Sequence, residues 1–311
     1  MKRAAAARAV LGAVAVGAAV MLVVSVVHDP AQVAAASAQV TTAEPTTETT
    51  APALKTQSTP TPTPTPALSP AESAALAERV QQAVRRSVPG AKVGLEVFDR
   101  ATGTTVTSLN ADATFSSMSV VKLLIAIDLL ARNDWALPDT ATRNRITRML
   151  SASDDAIASS FWVGDGGSAI ITRDVELMGL TSTSSPATAG EWGDTKVTAA
   201  DLVTVYRYLA DDVPAAAHDL IYDALYHASR DGADGTDQYF GIPDGLPGTT
   251  WAIKQGWGSS GSTAYYNTTG LVGQDSRYVV VVLTSAPLGY YRALGRALTN
   301  GTAQLASVVS P

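Results

Sequence analysis

The stretch Ser116-Ser117-Met118-Ser119-Val120-Val121-Lys122-Leu123-Leu124-Ile125-Ala126-Ile127-Asp128-Leu129-Leu130 is apolar almost without interruption from Met118 onward. A helix that is apolar on all sides is a buried one, so this segment predicts the central helix of a folded domain. A lysine in such a helix needs a reason. Residues i and i+3 share a helix face, which makes Ser119 and Lys122 neighbours on the first turn, where backbone N–H groups are still free. A lysine amine taken out of water has a lowered pKa, and a neutral amine accepts a proton from a serine hydroxyl. Composition sharpens the point. Residues 70–311 contain 14 arginines but only four lysines: Lys92, Lys122, Lys196 and Lys254. Arginine cannot give up its proton whereas lysine can, so a lysine at position 122 fits proton transfer.

Working outward, the flanking segments alternate between helix and strand. Ser69 is an N-cap, Pro70 fits the first helical position and Glu72 completes a capping box, predicting a helix to about Val88 that Pro89-Gly90 breaks. Val93, Leu95 and Val97 alternate as a strand, and a turn at Ala101-Thr102-Gly103 leads to a second strand near Thr104–Leu109. Residues from about Ser117 to Leu225 carry a mostly helical pattern. Trp251–Ile253, Ala264–Leu271 and Tyr278–Thr284 read as strands, and a last helix starts near Tyr290. Strands at both ends around a helical middle predict an α+β domain at 70–311. Its antiparallel sheet draws on both termini, is flanked by helices and carries a compact helical insertion.

The first 69 residues differ in kind. Lys2, Arg3 and Arg8 precede an apolar run from Ala9 to Val27, and Ala36-Ser37-Ala38 offers a cleavage site. Residues 1–38 therefore read as an export signal or an uncleaved membrane anchor, and either topology places the remainder outside the cytoplasm. Residues 39–69 are rich in Thr, Pro and Ala and include four consecutive Thr-Pro pairs, Thr59 to Pro66. Alternating proline favours extended polyproline II with nothing to bury, a spacer.

The totals exclude several chemistries. The 311 residues contain no cysteine, which removes disulfides, thiolate catalysis and a lipidated cysteine. Only His28, His218 and His227 are present, and His28 lies beside the N-terminal apolar run, so no three-histidine metal centre fits the folded domain. No metal or cofactor is implied. Residues 70–311 carry 18 basic and 25 acidic side chains, a poor surface for nucleic acid. Gly256-Trp257-Gly258-Ser259-Ser260-Gly261 matches a dinucleotide-binding string, but the residues after it look extended where a helix is required.

Two further segments join the first. Ser153-Asp154-Asp155 follows a helical pattern, and Lys254-Gln255-Gly256-Trp257 ends a strand near the C-terminus. Ser-x-x-Lys, Ser-Asp-Asn and Lys-Thr-Gly, in that order, mark class A β-lactamases and penicillin-binding proteins. Residues 70–311 resemble that superfamily along essentially their whole length, which implies a β-lactamase/transpeptidase-like fold. The resemblance implies that Ser119 attacks a carbonyl and becomes acylated, with Lys122 as base or positioning group. Ser153 would relay a proton to the leaving nitrogen, and Lys254 would supply positive potential for a substrate carboxylate. The backbone N–H groups of Ser119 and Trp257 would form the oxyanion hole, with Asp155, Gln255 and Gly256 contacting substrate. The implied partners are a β-lactam or the D-Ala-D-Ala end of a peptidoglycan stem peptide, in the cell wall.

The departures from the pattern are specific. Asp155 stands where the family has asparagine, and Gln255 where it has threonine or serine. Ser119 and Ser153 are 34 positions apart, a short insertion. Glu191, in Ala189-Gly190-Glu191-Trp192-Gly193-Asp194-Thr195, is the candidate deacylation base, without the Leu-Asn that follows in the family. β-Lactamase, peptidase, esterase and a wall-binding protein that kept the fold all remain open.

Overall fold

The computed structural model describes residues 68–309. The expected export segment, 1–38, and all but the end of the spacer, 39–69, lie outside the described residues. Among the described residues, no helix is long and apolar enough to cross a membrane.

Helix α1 (Pro70–Ser87) begins at the anticipated capping box: Ser69 Oγ accepts from Glu72 N–H, and the Glu72 carboxylate accepts from Ser69 N–H at 2.8 Å. Strands β1 (Lys92–Asp99) and β2 (Thr104–Leu109) form the first hairpin, turned at Gly103 with φ +68°. After β3 (Phe115–Ser116) comes a 3-10 turn, Met118–Val120, that runs into α2 (Val121–Ala131). Helices α3 (Thr140–Ser151), α4 (Asp155–Gly164) and α5 (Ala169–Met178) follow. Strand β4 (Lys196–Val197) pairs with β3, and α6 (Ala199–Asp211) and α7 (Ala215–Tyr226) complete the helical middle. A short α8 (Ile242–Gly245) precedes β5 (Trp251–Ser260), β6 (Thr263–Val272) and β7 (Tyr278–Pro287); α9 (Tyr291–Thr302) packs back on α1.

The main sheet is antiparallel with order β2-β1-β7-β6-β5, so the N-terminal β1 lies directly beside the C-terminal β7, Val97 facing Val280. Strand β7 is buried on both faces, and its period of two sorts its side chains between two cores. Val280 and Val282 pack with Leu76, Val80 and Val84 of α1 and with Leu294 and Leu298 of α9. Val279, Val281 and Leu283 pack on the other side with Leu123, Ile127 and Tyr206. The result is the expected α+β arrangement: a helical layer, a sheet drawn from both ends, and a helical insertion.

Two boundaries differ from the sequence reading. The turn that carries Ser119 is 3-10 rather than α, which still stacks positions i and i+3. Strand β5 runs on to Ser260 instead of ending near Ile253, because every residue from Trp251 to Ser260 finds a partner on β6 from Val272 to Thr263. Gly256, Gly258 and the serines weaken the local strand signal, and long-range pairing overrides it. The dinucleotide-like string is thus the end of an edge strand and its hairpin turn at Gly261, φ +55°.

Candidate active site

The Met118–Val120 turn is held from three directions. Ser117 N–H donates to Thr195 O at 2.8 Å, and Asn267 Nδ2 on β6 donates to Ser116 O and Ser117 O at 3.0 and 3.2 Å. From below, β5 presses against it. A Cβ on Gly256 would stand 2.5 Å from Ser117 O, so only glycine admits this approach. Met118, immediately before the serine, has φ +49°, a conformation non-glycine residues adopt at a cost of about 1–3 kcal/mol and one that clusters at functional sites. A lone asparagine in a strand carries no local signal of what lies across the sheet, so the sequence does not mark Asn267.

Lys122 is wholly buried, and its Nζ is the hub of the site. It donates to Ser119 Oγ at 2.8 Å, to Ser153 O at 2.7 Å, to Ser153 Oγ at 3.1 Å and to Asp155 Oδ1 at 2.5 Å. Burial pulls its pKa below the usual lysine value, and the nearby Asp155 carboxylate opposes that shift only in part. Ser153, with φ +55°, places its hydroxyl between two amines: Lys254 Nζ donates to the same Oγ at 3.0 Å. Burial, reinforced by the charge of Lys122, pushes the Lys254 pKa far down. Asp154 explains the motif's middle position. It caps α4, accepting from Ile157 N–H at 3.1 Å, and pairs with Arg148 at 2.8 Å, which fixes Ser153 and Asp155 on either side.

Above this cluster opens a cleft of about 270 Å³ lined by Met118, Ser119, Asp155, Glu191, Trp192 and Trp257, among others. The Trp192 ring lies 5.0 Å from Lys122 Nζ, within cation–π range, and its indole N–H donates to Ser159 Oγ at 3.1 Å. Glu191 is exposed on the cleft wall, and among the described residues its carboxylate makes no hydrogen bond to Ser119 or Lys122. Asp194 reaches across to β5, where Ser260 Oγ donates to its carboxylate at 2.7 Å.

Four of the sequence-derived residues, Ser119, Lys122, Ser153 and Lys254, therefore converge through their side chains, and Asp155 joins them. Gln255 does not. Successive side chains on a strand point to opposite faces, so with Lys254 directed at Ser153, Gln255 turns into the domain. There its Nε2 donates to Gln238 O and Phe240 O, and the residue is 1 % exposed. The expected contact of the Gln255 side chain with a ligand is corrected on that ground. Trp257 shares its face, donating to Asp234 at 3.0 Å and meeting Phe240 edge-on, yet it is partly exposed and reaches the cleft wall. His218 and His227 lie on or just beyond α7, as expected of surface histidines.

No family model matches the chain. Over 216 residues it is 36 % identical to the protein named "Putative lipoprotein LppW" from Mycobacterium tuberculosis, covering 67 % of this chain and 68 % of that one. The chain belongs to the LppW family. The same identity holds for LppW of Mycobacterium bovis. Among solved structures, a β-lactamase from Chitinophaga pinensis superposes with a TM-score of 0.63 at 15 % identity, covering 75 % of this chain and 98 % of that one. The extended-spectrum β-lactamase TLA-3 gives 0.62 at 13 % identity over 77 % and 100 %. PBP-A gives 0.55 at 18 % identity over 74 % and 95 %. At these identities the likeness establishes the fold: this LppW-family chain has the architecture of the serine β-lactamase and penicillin-binding protein superfamily. LppW carries "lipoprotein" in its name, while the present chain has no cysteine to bear a lipid.

Proposed function

We propose that this chain is an exported serine hydrolase that forms an acyl-enzyme on Ser119 with a β-lactam or a D-Ala-D-Ala peptide of peptidoglycan. One observation carries the reading: a serine hydroxyl 2.8 Å from the amine of a fully buried lysine, beside a second buried lysine that shares Ser153. Lys122 draws the proton from Ser119 Oγ as the oxygen attacks the carbonyl. The oxyanion is held by the backbone N–H groups of Ser119 and Trp257; one such donor is worth roughly 3–4 kcal/mol of barrier. Ser153, supplied by both amines, passes the proton to the leaving nitrogen. Lys254, buried and with its pKa pushed far down, holds the Ser153 hydroxyl in place through its 3.0 Å contact. The N-terminal charge and apolar pattern support export.

A second reading has its own observation. The Asp155–Lys122 contact favours the charged amine, which would suit a wall-binding protein that keeps the fold without turnover. Hydrolysis of nitrocefin and release of D-alanine from an acylated D-Ala-D-Ala peptide distinguish the two. Either activity, lost in Ser119→Ala, supports the hydrolase. Binding of wall fragments with neither activity supports the alternative.

A further inference from the structure

We propose that Asp155, not Glu191, is the catalytic base that activates water to release the acyl group. This rests on the reading of Ser119 as the acylated nucleophile. Asp155 is the carboxylate in contact with the Ser119–Lys122 pair: its Oδ1 bonds Lys122 Nζ, and its Oδ2 has no protein partner among the described residues. The side chain is 67 % exposed and lines the same cleft as Ser119. One oxygen is thus anchored to the dyad while the group as a whole stays open to solvent. Its position is fixed from behind, because the preceding Asp154 caps α4 and pairs with Arg148.

The loop that carries Glu191 delivers a different group to the lysine. The Trp192 ring covers Lys122 Nζ and is pinned by Ser159, while Glu191 stays exposed on the wall. An asparagine at 155 would offer an amide, which neither accepts a proton nor opposes the neutralisation of Lys122. The carboxylate costs the site something in acylation, because it favours the charged lysine, and proton transfer from water is a role only the carboxylate fills.

The step balances as follows. The water O–H bond breaks, its proton goes to Asp155 and its oxygen bonds to the acyl carbon. The C–Oγ bond to Ser119 then breaks, Lys122 delivers a proton to the departing Oγ, and Asp155 returns one to Lys122. Ester and water become acid and free serine, with both relay groups restored.

The test follows benzylpenicillin on the full-length chain by intact mass, comparing wild type with Asp155→Asn and Glu191→Gln. The expected result is an adduct that forms on Asp155→Asn, reporting a folded and acylating protein, and persists about 10²–10⁴-fold longer than on wild type. Equal lifetimes in wild type and Asp155→Asn, loss of acylation in Asp155→Asn, or a long-lived adduct in Glu191→Gln instead would each overturn the proposal. Absence of any adduct on wild type would defeat the acyl-enzyme reading itself, a distinct outcome.

Discussion

At the scale of single residues, the proposed chemistry depends on lysine being a group that can lose its proton. Burial lowers the Lys122 pKa from its usual value, and the form that the proposal requires is the neutral amine. Acylation by a β-lactam should therefore rise with pH and level off below the ordinary lysine range. Lys122→Arg keeps the charge but cannot accept a proton, so its acylation rate, read by fluorescent penicillin labelling, should fall by about 10²–10⁴-fold and lose that pH dependence. A second buried group lies outside the site. Asp174 on α5 is fully buried, both its oxygens lack hydrogen-bond partners among the described residues, and burial together with the charge of Asp128 pushes its pKa well up, opposed by Arg173. A carboxyl whose folded pKa is raised stabilises fully only below its unfolded pKa, and that contribution is lost as pH rises through the folded value. Asp174→Leu should accordingly gain on the order of 1–3 kcal/mol near neutral pH, with a smaller gain near the ordinary carboxylate range. Denaturant midpoints at the two pH values check it.

At the scale of elements, the decisive contact is β5 against the Met118–Val120 turn. A methyl at position 256 would meet Ser117 O at 2.5 Å and Met118 Cβ at 3.3 Å, and one of the two elements must move. Gly256→Ala should keep its circular dichroism but lose about 10²-fold in acylation rate, the effect of misplacing reacting groups by about an ångström; an unchanged rate would separate β5 from the positioning of Ser119. The same element shows what the sequence made legible. The apolar run around Lys122 made that lysine conspicuous, and a spacing of three made Ser119 its neighbour. Lys254 was readable from a Lys-x-Gly string at the end of a strand together with the family resemblance. The fate of Gln255 also follows from strand alternation, once Lys254 is known to point at Ser153, but the family resemblance pointed the other way. Trp192 is placed beside the cleft by its neighbourhood to Glu191, but its stacking over Lys122, like Asn267 behind Ser117, is not readable, because each acts across a distance in sequence that no periodicity spans.

At the scale of the whole molecule, the fold was legible because its pattern is consistent at every level: capped α1, alternating β1, an apolar middle and a β7 buried on both faces. Placing β1 beside β7 brings the N-terminal and C-terminal thirds into one sheet, and that sheet in turn carries Lys254 to Ser153, whose hydroxyl also accepts from Lys122. The full length of β5 escaped the sequence reading since its glycines serve close approach instead of strand propensity. The whole assembly exists, on this account, to make one hydroxyl nucleophilic. The most direct measurement is intact-mass analysis with peptide mapping after exposure to benzylpenicillin. The account predicts one added penicillin per chain, located on the peptide containing Ser119 and absent from Ser119→Ala. A chain that gains no mass, or gains it equally in the alanine variant, would contradict it.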